Sequence, residues 1–242
     1  MTERILILPD IHLEGSKTPK PYLAIKPFIK DFKPHEIILL GDFLDCTSVS
    51  AWLKNKKRKT ENKRLLKEYD RGNEELDFLA KYSKQITYLE GNHENWVERY
   101  IDENPNVEGL LELPKKLHLT KRDIKWFKLN TLYRKGKAFF THGIFYNKYH
   151  AWKHLITYGC CIVYGHSHNA QTHMMNMKMQ EPIMAYGLGC LCDHEPDFLK
   201  GKPANWLNQF GVFMLNGKTG RFNLYPVNIT ANKFIWNKEY TA

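Results

Sequence analysis

Long apolar runs are missing from this 242-residue chain: none approaches the roughly 18 consecutive apolar residues that suggest a membrane-spanning helix. The N-terminus has Met1-Thr2-Glu3-Arg4 and then four aliphatic residues before Pro9, too few for the apolar region of a signal peptide. A cytoplasmic protein with no membrane partner is expected. A cysteine framework is missing too. Cys46, Cys160, Cys161, Cys190 and Cys192 make an odd number with no C-x-x-C spacing, which fits reduced thiols. Cys190 and Cys192, followed by Asp193 and His194, offer atoms for a further metal. The plainer reading is a pair of small buried hydrophobes in a strand. Acidic residues are scarce relative to basic ones, 26 against 36, leaving a formal charge of +10 and pI near 9.2; such an excess points to polyanionic partners. Repeats, low-complexity segments and linkers are also absent. The length suits one core, so a single domain over residues 1–242 is expected.

What is present is a repeated pattern of short aliphatic strand, polar loop and helix. Arg4 to Pro9 reads as a buried strand that opens into Asp10-Ile11-His12. Tyr22, Ala24, Ile25, Phe28, Ile29 and Phe32 recur at helical spacing after Pro21 and lead to a second strand, Glu36 to Leu40. A strand, helix and strand in this order imply parallel pairing. Ala51 to Lys84 reads mostly as helix, a lysine-rich insertion around residues 50–84 with an apolar stripe of Leu65, Leu66, Tyr69, Leu76 and Leu79 and a break near Gly72. Ile86 to Glu90 is the third strand, ending on Gly91-Asn92-His93-Glu94; Gly136 to Thr141 runs into His142-Gly143, and Cys160 to Tyr164 into Gly165-His166-Ser167-His168. The last third, with Pro182 to Leu188, Phe210 to Leu215 and Phe222 to Val227, reads as strands and hairpins.

In an open α/β sheet, ligands lie outside the carboxyl ends of the strands, so loops far apart in sequence converge. Five such loops carry Asp, Asn or His, and Asp42 is placed to bridge two metal ions. Carboxylate, amide oxygen and imidazole together suit borderline divalent ions, and the lack of thiolates in these loops argues against a structural zinc knot. Two ions about 3.5–4 Å apart can hold a bridging hydroxide and clamp phosphate oxygens during in-line displacement. The leaving oxygen then needs a proton from a group not spent as a ligand; His93, beside Asn92, is the candidate. Taken singly, His142 would read as an ordinary core or surface histidine, and Asp45 as a helix cap. The conjunction carries the chemistry. His150, His154 and His194 are the other histidines with access to the rim of such a site.

Asp10-x-His12, Gly41-Asp42-x-x-Asp45, Gly91-Asn92-His93-Glu94, Thr141-His142-Gly143 and Gly165-His166-x-His168 occur in this order and resemble the five motifs of the calcineurin-like metallophosphoesterase superfamily. The resemblance implies an α/β fold, a four-layer αββα sandwich of two mixed β-sheets flanked by helices. It implies one metal held by Asp10, His12, Asp42 and His168 and a second held by Asp42, Asn92, His142 and His166. His93 becomes the group that steadies the transition state or protonates the leaving oxygen, with Asp45 as the carboxylate that orients it. The expected cofactor is a pair of divalent ions, manganese first, with iron, zinc or nickel as alternatives.

Two departures bear on substrate. Serine/threonine phosphatases of the superfamily continue the second motif with Arg-Gly, whereas Cys46-Thr47 follows Asp45 here, which lowers the protein phosphatase reading. Gly187-Leu188-Gly189-Cys190 stands near where many bacterial phosphodiesterases carry Asn-Pro-Gly-Ser. The segments from Gly189 to Asp193 and from Asn205 to Phe210 resemble those of phosphoesterases common in phages and bacteria, so a bacterial or phage-infected host cell is the expected setting. Lys54 to Lys67 carries eight basic residues against one acid. Lys56, Lys57, Arg58 and Lys59 either contact phosphates of a nucleic acid, with Trp52, Trp96 and Tyr100 as stacking faces, or form a solvated helix face. The function expected is a two-metal phosphodiesterase or nuclease acting on nucleic acid or nucleotides. A phosphomonoesterase acting on proteins or small phosphates is the alternative, and a non-catalytic scaffold on the same fold comes last.

Overall fold

A computed structural model describes residues 2–53, 55, 60–176, 178–194 and 204–242. Alternation along the strands sets the layers, because successive side chains of a strand point to opposite faces. In β1 (Thr2–Leu8) and β2 (Glu36–Leu39), Leu6, Leu8, Ile37 and Leu39 join one apolar cluster with residues of α1 (Lys20–Phe32) and α2 (Leu65–Tyr82). Ile5, Ile7 and Ile38 face the other way, into a second cluster with Leu40.

Sheet one has the order β11-β10-β1-β2-β3-β4, adding β3 (Gln85–Leu89), β4 (Lys125–Phe127), β10 (Gln209–Asn216) and β11 (Phe222–Asn228). Its β1 to β4 pair in parallel, while β10 and β11 are antiparallel. Sheet two has the order β5-β6-β7-β9-β8, from β5 (Tyr133–Lys135), β6 (Ala138–Thr141), β7 (Cys161–Tyr164), β8 (Gln171–Met175) and β9 (Ile183–Gly187). It too is mixed, with β6, β7 and β9 parallel.

Ala138, Phe140 and Val163 of sheet two share the second cluster with Ile5 and Ile7, so the sheets pack face to face there. On the outer face of sheet two, Ile162, Tyr164 and Ala185 pack with Ala151 and Leu155 of a helix, His150–Tyr158. Helix, sheet, sheet and helix are the four layers anticipated from the motifs. Between α2 and that last helix lie α3 (Asn92–Glu103) and a single turn, α4 (Leu113–Lys116), which makes His150–Tyr158 α5. A ribbon of β12 (Lys233–Ile235) and β13 (Glu239–Thr241) packs Phe234 and Tyr240 against Phe28 of α1. No helix among the described residues is long and apolar enough to cross a membrane.

Register aligns the strand ends. Leu8 pairs with Leu39 and Leu39 with Tyr88, while Thr141 pairs with Tyr164 and Tyr164 with Gly187. The loops bearing Asp10, Asp42, Asn92, His142 and His166 therefore leave the sheets at one level.

Several sequence expectations change. Of the stretch read as helix from Ala51, Ala51–Leu53 is a 3₁₀ turn like Thr47–Val49 before it, Leu65–Tyr82 is helix, and residues 54 and 56–59 lie outside the described residues. The helix does not break at Gly72. A Cβ there would stand 2.9 Å from Leu44 Cδ2 and 3.0 Å from Leu117 Cδ2, so this glycine permits close packing of the helix under the Asp42 loop. Cys190 makes an isolated bridge to Asn208 rather than belonging to a strand. Strands β4, β5 and β8 are three to five residues long, too short for a clear period of two.

Candidate metal centre

Five of the seven ligand candidates carry left-handed backbone: Asp10, His12, Asp42, His166 and His168 have φ between 44° and 68°. Non-glycine residues adopt this region sparingly, and such strain collects at functional sites. Here it follows from turning the chain sharply off each strand end. The glycines between strand and ligand make room. A Cβ on Gly91 would overlap the Asp42 carboxylate, and one on Gly165 would overlap that of Asp10.

Of four donor clusters among the described residues, two share Asp42; the others are His12, His168 and Cys192, and His12, Asp45 and His93. Asp10, His12, Asp42 and His168 each place one donor atom within 4.8 Å of the others, and Asp42, His142 and His166 do the same. In the first cluster, His168 Nε2 lies 3.3 Å from Asp10 Oδ1 and 3.2 Å from His12 Nε2, and His12 Nε2 lies 3.7 Å from Asp42 Oδ2. In the second, His142 Nε2 lies 3.4 Å from Asp42 Oδ2, 3.0 Å from Asn92 Oδ1 and 3.2 Å from His166 Nδ1. Asn92 thus joins the second cluster.

The donor set can be tested for a cation on hydrogen-bond grounds alone. His142 Nδ1 lies 2.9 Å from the Leu40 carbonyl oxygen, which can only accept, so Nδ1 carries the ring proton. In the neutral ring Nε2 is then a lone pair, and it faces a carboxylate, an amide oxygen and a second imidazole. Electron pairs converging in a buried place fit a cation, and carboxylate with imidazole suits a borderline divalent ion.

The electrostatics agree. Burial opposes ionisation of Asp42, yet His142, His93 and His12 hold its carboxyl well below the usual range. Burial opposes charge on His142 and His93 as well, but the Asp42 carboxylate pushes them up to about 10 and about 9. His166, buried and beside His142, is pressed down to about 4. The carboxylates call for positive charge at the centre.

His93 donates its backbone N–H to Asp42 Oδ1 at 2.9 Å, and its ring lies against Trp96 with centroids 3.9 Å apart. Its orientation differs from the expectation in one respect. Nδ1 lies 2.7 Å from the backbone oxygen of Asp45, whereas the carboxylate oxygen is 3.6 Å away. That carboxylate is engaged by the Thr47 hydroxyl, Lys63 Nζ and His12 Nδ1. Asp45 thus orients His93 through its main chain.

Lys56, Lys57, Arg58 and Lys59 lie outside the described residues, as does Lys54, and the side chain of Trp52 is not described. Of the same basic run, Lys63 reaches the site, 3.2 Å from Asp45 Oδ2. Trp96 also lines a cavity of about 310 Å³ with Tyr100 and Arg99. His150 and His154 are buried under the rim: His154 Nε2 accepts the Ile144 N–H at 3.1 Å, and His150 Nδ1 meets the Tyr164 hydroxyl at 2.6 Å. His194 stands 6.3 Å from the Trp206 ring.

Three contributors went unassigned in the sequence. Glu94, buried, accepts the backbone N–H groups of Asp42, Leu44 and Gly91 and the Tyr88 hydroxyl, tying the Asp42 loop to the Asn92 helix. Its position three residues after Gly91 is the capping-box spacing, a signal available in the sequence. Cys192 Sγ stands 3.8 Å from His168 Nδ1, and the Trp206 ring lies 4.2 Å from that of His168; the sequence marked both segments but placed neither beside His168. All five cysteines are free.

A family model described as calcineurin-like phosphoesterase matches residues 3–212. No curated protein matches the chain. Among solved structures, the crystal structure of TT1561 of Thermus thermophilus is similar at 11% identity and a TM-score of 0.37, with 93% of this chain and 99% of that chain covered.

Proposed function

This chain belongs to the calcineurin-like phosphoesterase family, and on that premise we propose that it hydrolyses phosphodiesters of nucleic acids or nucleotides with two divalent cations, manganese first among them. The observation that carries the reading is the pair of donor clusters sharing Asp42. Asp10, His12, Asp42 and His168 would hold one cation, and Asp42, Asn92, His142 and His166 the other. When bound, the pair supplies Lewis acidity to the phosphate and makes water acidic enough to attack at neutral pH.

The remaining steps belong to the chain's own groups. Glu94 holds the Asp42 and Gly91 backbones together and so keeps the two clusters in register. With Nδ1 donating to the Asp45 carbonyl oxygen and the ring against Trp96, His93 holds a proton at Nε2 for the leaving oxygen. A cavity of about 190 Å³ lined by His12, Asp45, His93, His168 and Trp206 gives the substrate its approach. The diester preference rests on the basic surplus and on Cys46-Thr47 standing where a protein phosphatase would carry Arg-Gly. The Gly91-Asn92-His93-Glu94 segment also suits a phosphomonoesterase, which is the second reading.

The test is hydrolysis by manganese-loaded protein of bis(p-nitrophenyl) phosphate, p-nitrophenyl phosphate, and single- and double-stranded DNA and RNA. The expected result is turnover with a diester preference. A monoester preference selects the second reading. Absence of turnover on every substrate, with two metals bound, overturns both and leaves a binding or scaffold subunit.

A further inference from the structure

Three of the five exposed aromatic residues among those described fall within seven positions, immediately after the ligand His142: Tyr146 is 79% exposed, Tyr149 60% and Trp152 44%. Ile144 and Ile156 are exposed too, and Tyr149, which precedes α5, is spaced with Trp152 and Ile156 of that helix so as to share its solvent face. Contiguous apolar surface of this kind on a folded protein marks a binding face.

The patch is built rather than loose. The Ile144 N–H is held by the buried His154 at 3.1 Å, and Gln171 bonds the Ala151 N–H at 2.8 Å and the Lys148 carbonyl at 3.0 Å. It adjoins the metal centre, since the Tyr146 ring stands 5.9 Å from that of His166. Its charge has one sign. Lys148 Nζ lies 5.3 Å from the Tyr149 ring centroid and Lys153 Nζ 5.7 Å from that of Phe145, and from His142 to Gln180 the sequence contains no Asp or Glu.

The geometry points to a single-stranded nucleic acid as the occupant: unpaired bases stack on Tyr146, Tyr149 and Trp152 while Lys148 and Lys153 meet the phosphates. This assignment rests on the phosphodiesterase reading and narrows it to a substrate class. Exposed aromatic faces combined with lysines suit unpaired bases, because every base has a face to stack. A duplex keeps those faces inside its own stack. The shelf begins beside a ligand, so a strand lying on it carries its next phosphodiester toward the metals. A second copy of the chain on the same face would stand in the way of that approach.

The experiment compares wild type with Tyr146→Ala, Tyr149→Ala and Trp152→Ala. The readouts are binding of a fluorescent oligothymidylate and the ratio of kcat/KM on that strand to kcat/KM on bis(p-nitrophenyl) phosphate. Each substitution removes an exposed ring, so circular dichroism should match wild type. The expected result is a loss of about five-fold or more in both readouts for at least two of the variants, together with weaker binding of duplex than of single strand by wild type. An unchanged ratio and unchanged strand binding overturn the assignment. So does a wild-type dimer that the variants dissolve, or wild-type binding to phosphatidylcholine–phosphatidylserine vesicles with none to the strand. If wild type turns over no diester, the proposed function fails by itself and the binding arm still decides the shelf.

Discussion

On the His142 side of Asp42 the ligand atoms are set by main chain and burial: Leu40 fixes the His142 tautomer at 2.9 Å, and His142 is 1% exposed. On the His12 side the supports are softer and wetter. Among the described residues His168 Nδ1 meets the Cys192 sulfur at 3.8 Å, His12 Nδ1 faces the Asp45 carboxylate at 3.4 Å, and both rings line the open cavity with His93. A ligating histidine is usually oriented by a carboxylate, carbonyl or water on its other nitrogen; a thiol is a weak substitute. The two sides of Asp42 thus differ in support, main chain and burial on one and side chains around a cavity on the other.

Asp42→Asn attacks what the two sides share and carries the largest expected effect: metal content should fall at both positions and turnover should be abolished. Unchanged metal content by elemental analysis would refute the bridging role. His93→Ala should keep both metals and lower kcat by about 10²–10⁴-fold, more for poor leaving groups. Equal losses for good and poor leaving groups would remove His93 as the proton donor. Cys192→Ser should weaken one metal by about ten-fold, at the lower end of what outer partners of metal ligands contribute, and leave the other unchanged. Stepwise chelation followed by calorimetry reads this directly, and equal weakening at both positions would erase the difference between the sides.

The smallest effect concerns the ground under the His12 side. Glu68 is buried, accepts the Cys46 N–H at 2.6 Å, and is pushed up to about 8 by burial and then by the Asp45 charge. Between about pH 4.5 and about pH 8 the folded protein therefore keeps a proton that the unfolded chain has released, so stability falls as pH rises through that window. Glu68→Gln has no such proton to lose. Its Tm should decline less than that of wild type between about pH 5 and about pH 9; parallel declines would show that Glu68 does not titrate as described.

Much of this was legible beforehand. The strand ends were visible because buried parallel strands are short aliphatic runs, and Asp10, Asp42, Asn92, His142 and His166 stand just past where those runs stop, four of them directly after a glycine or proline. The 3₁₀ turns Thr47–Val49 and Ala51–Leu53 were not legible, since a three-residue turn carries no period. Gly72 misled for a related reason: a glycine in a helical pattern signals a break or a close approach, and only the packing partner, here Leu44, tells which.

By itself the sequence determined the donor chemistry: which residue types end the strands, how many there are, and that thiols are not among the expected ligands. Those follow from residue identity and a period of two, both local properties. Only the tertiary structure decided how near the donors on each side of Asp42 stand to one another, which atom of Asp45 holds His93, and that Cys192 stands behind His168. Each of these depends on strand register and on which backbone atom faces which ring, and such distances are set by packing between segments that local patterning cannot relate.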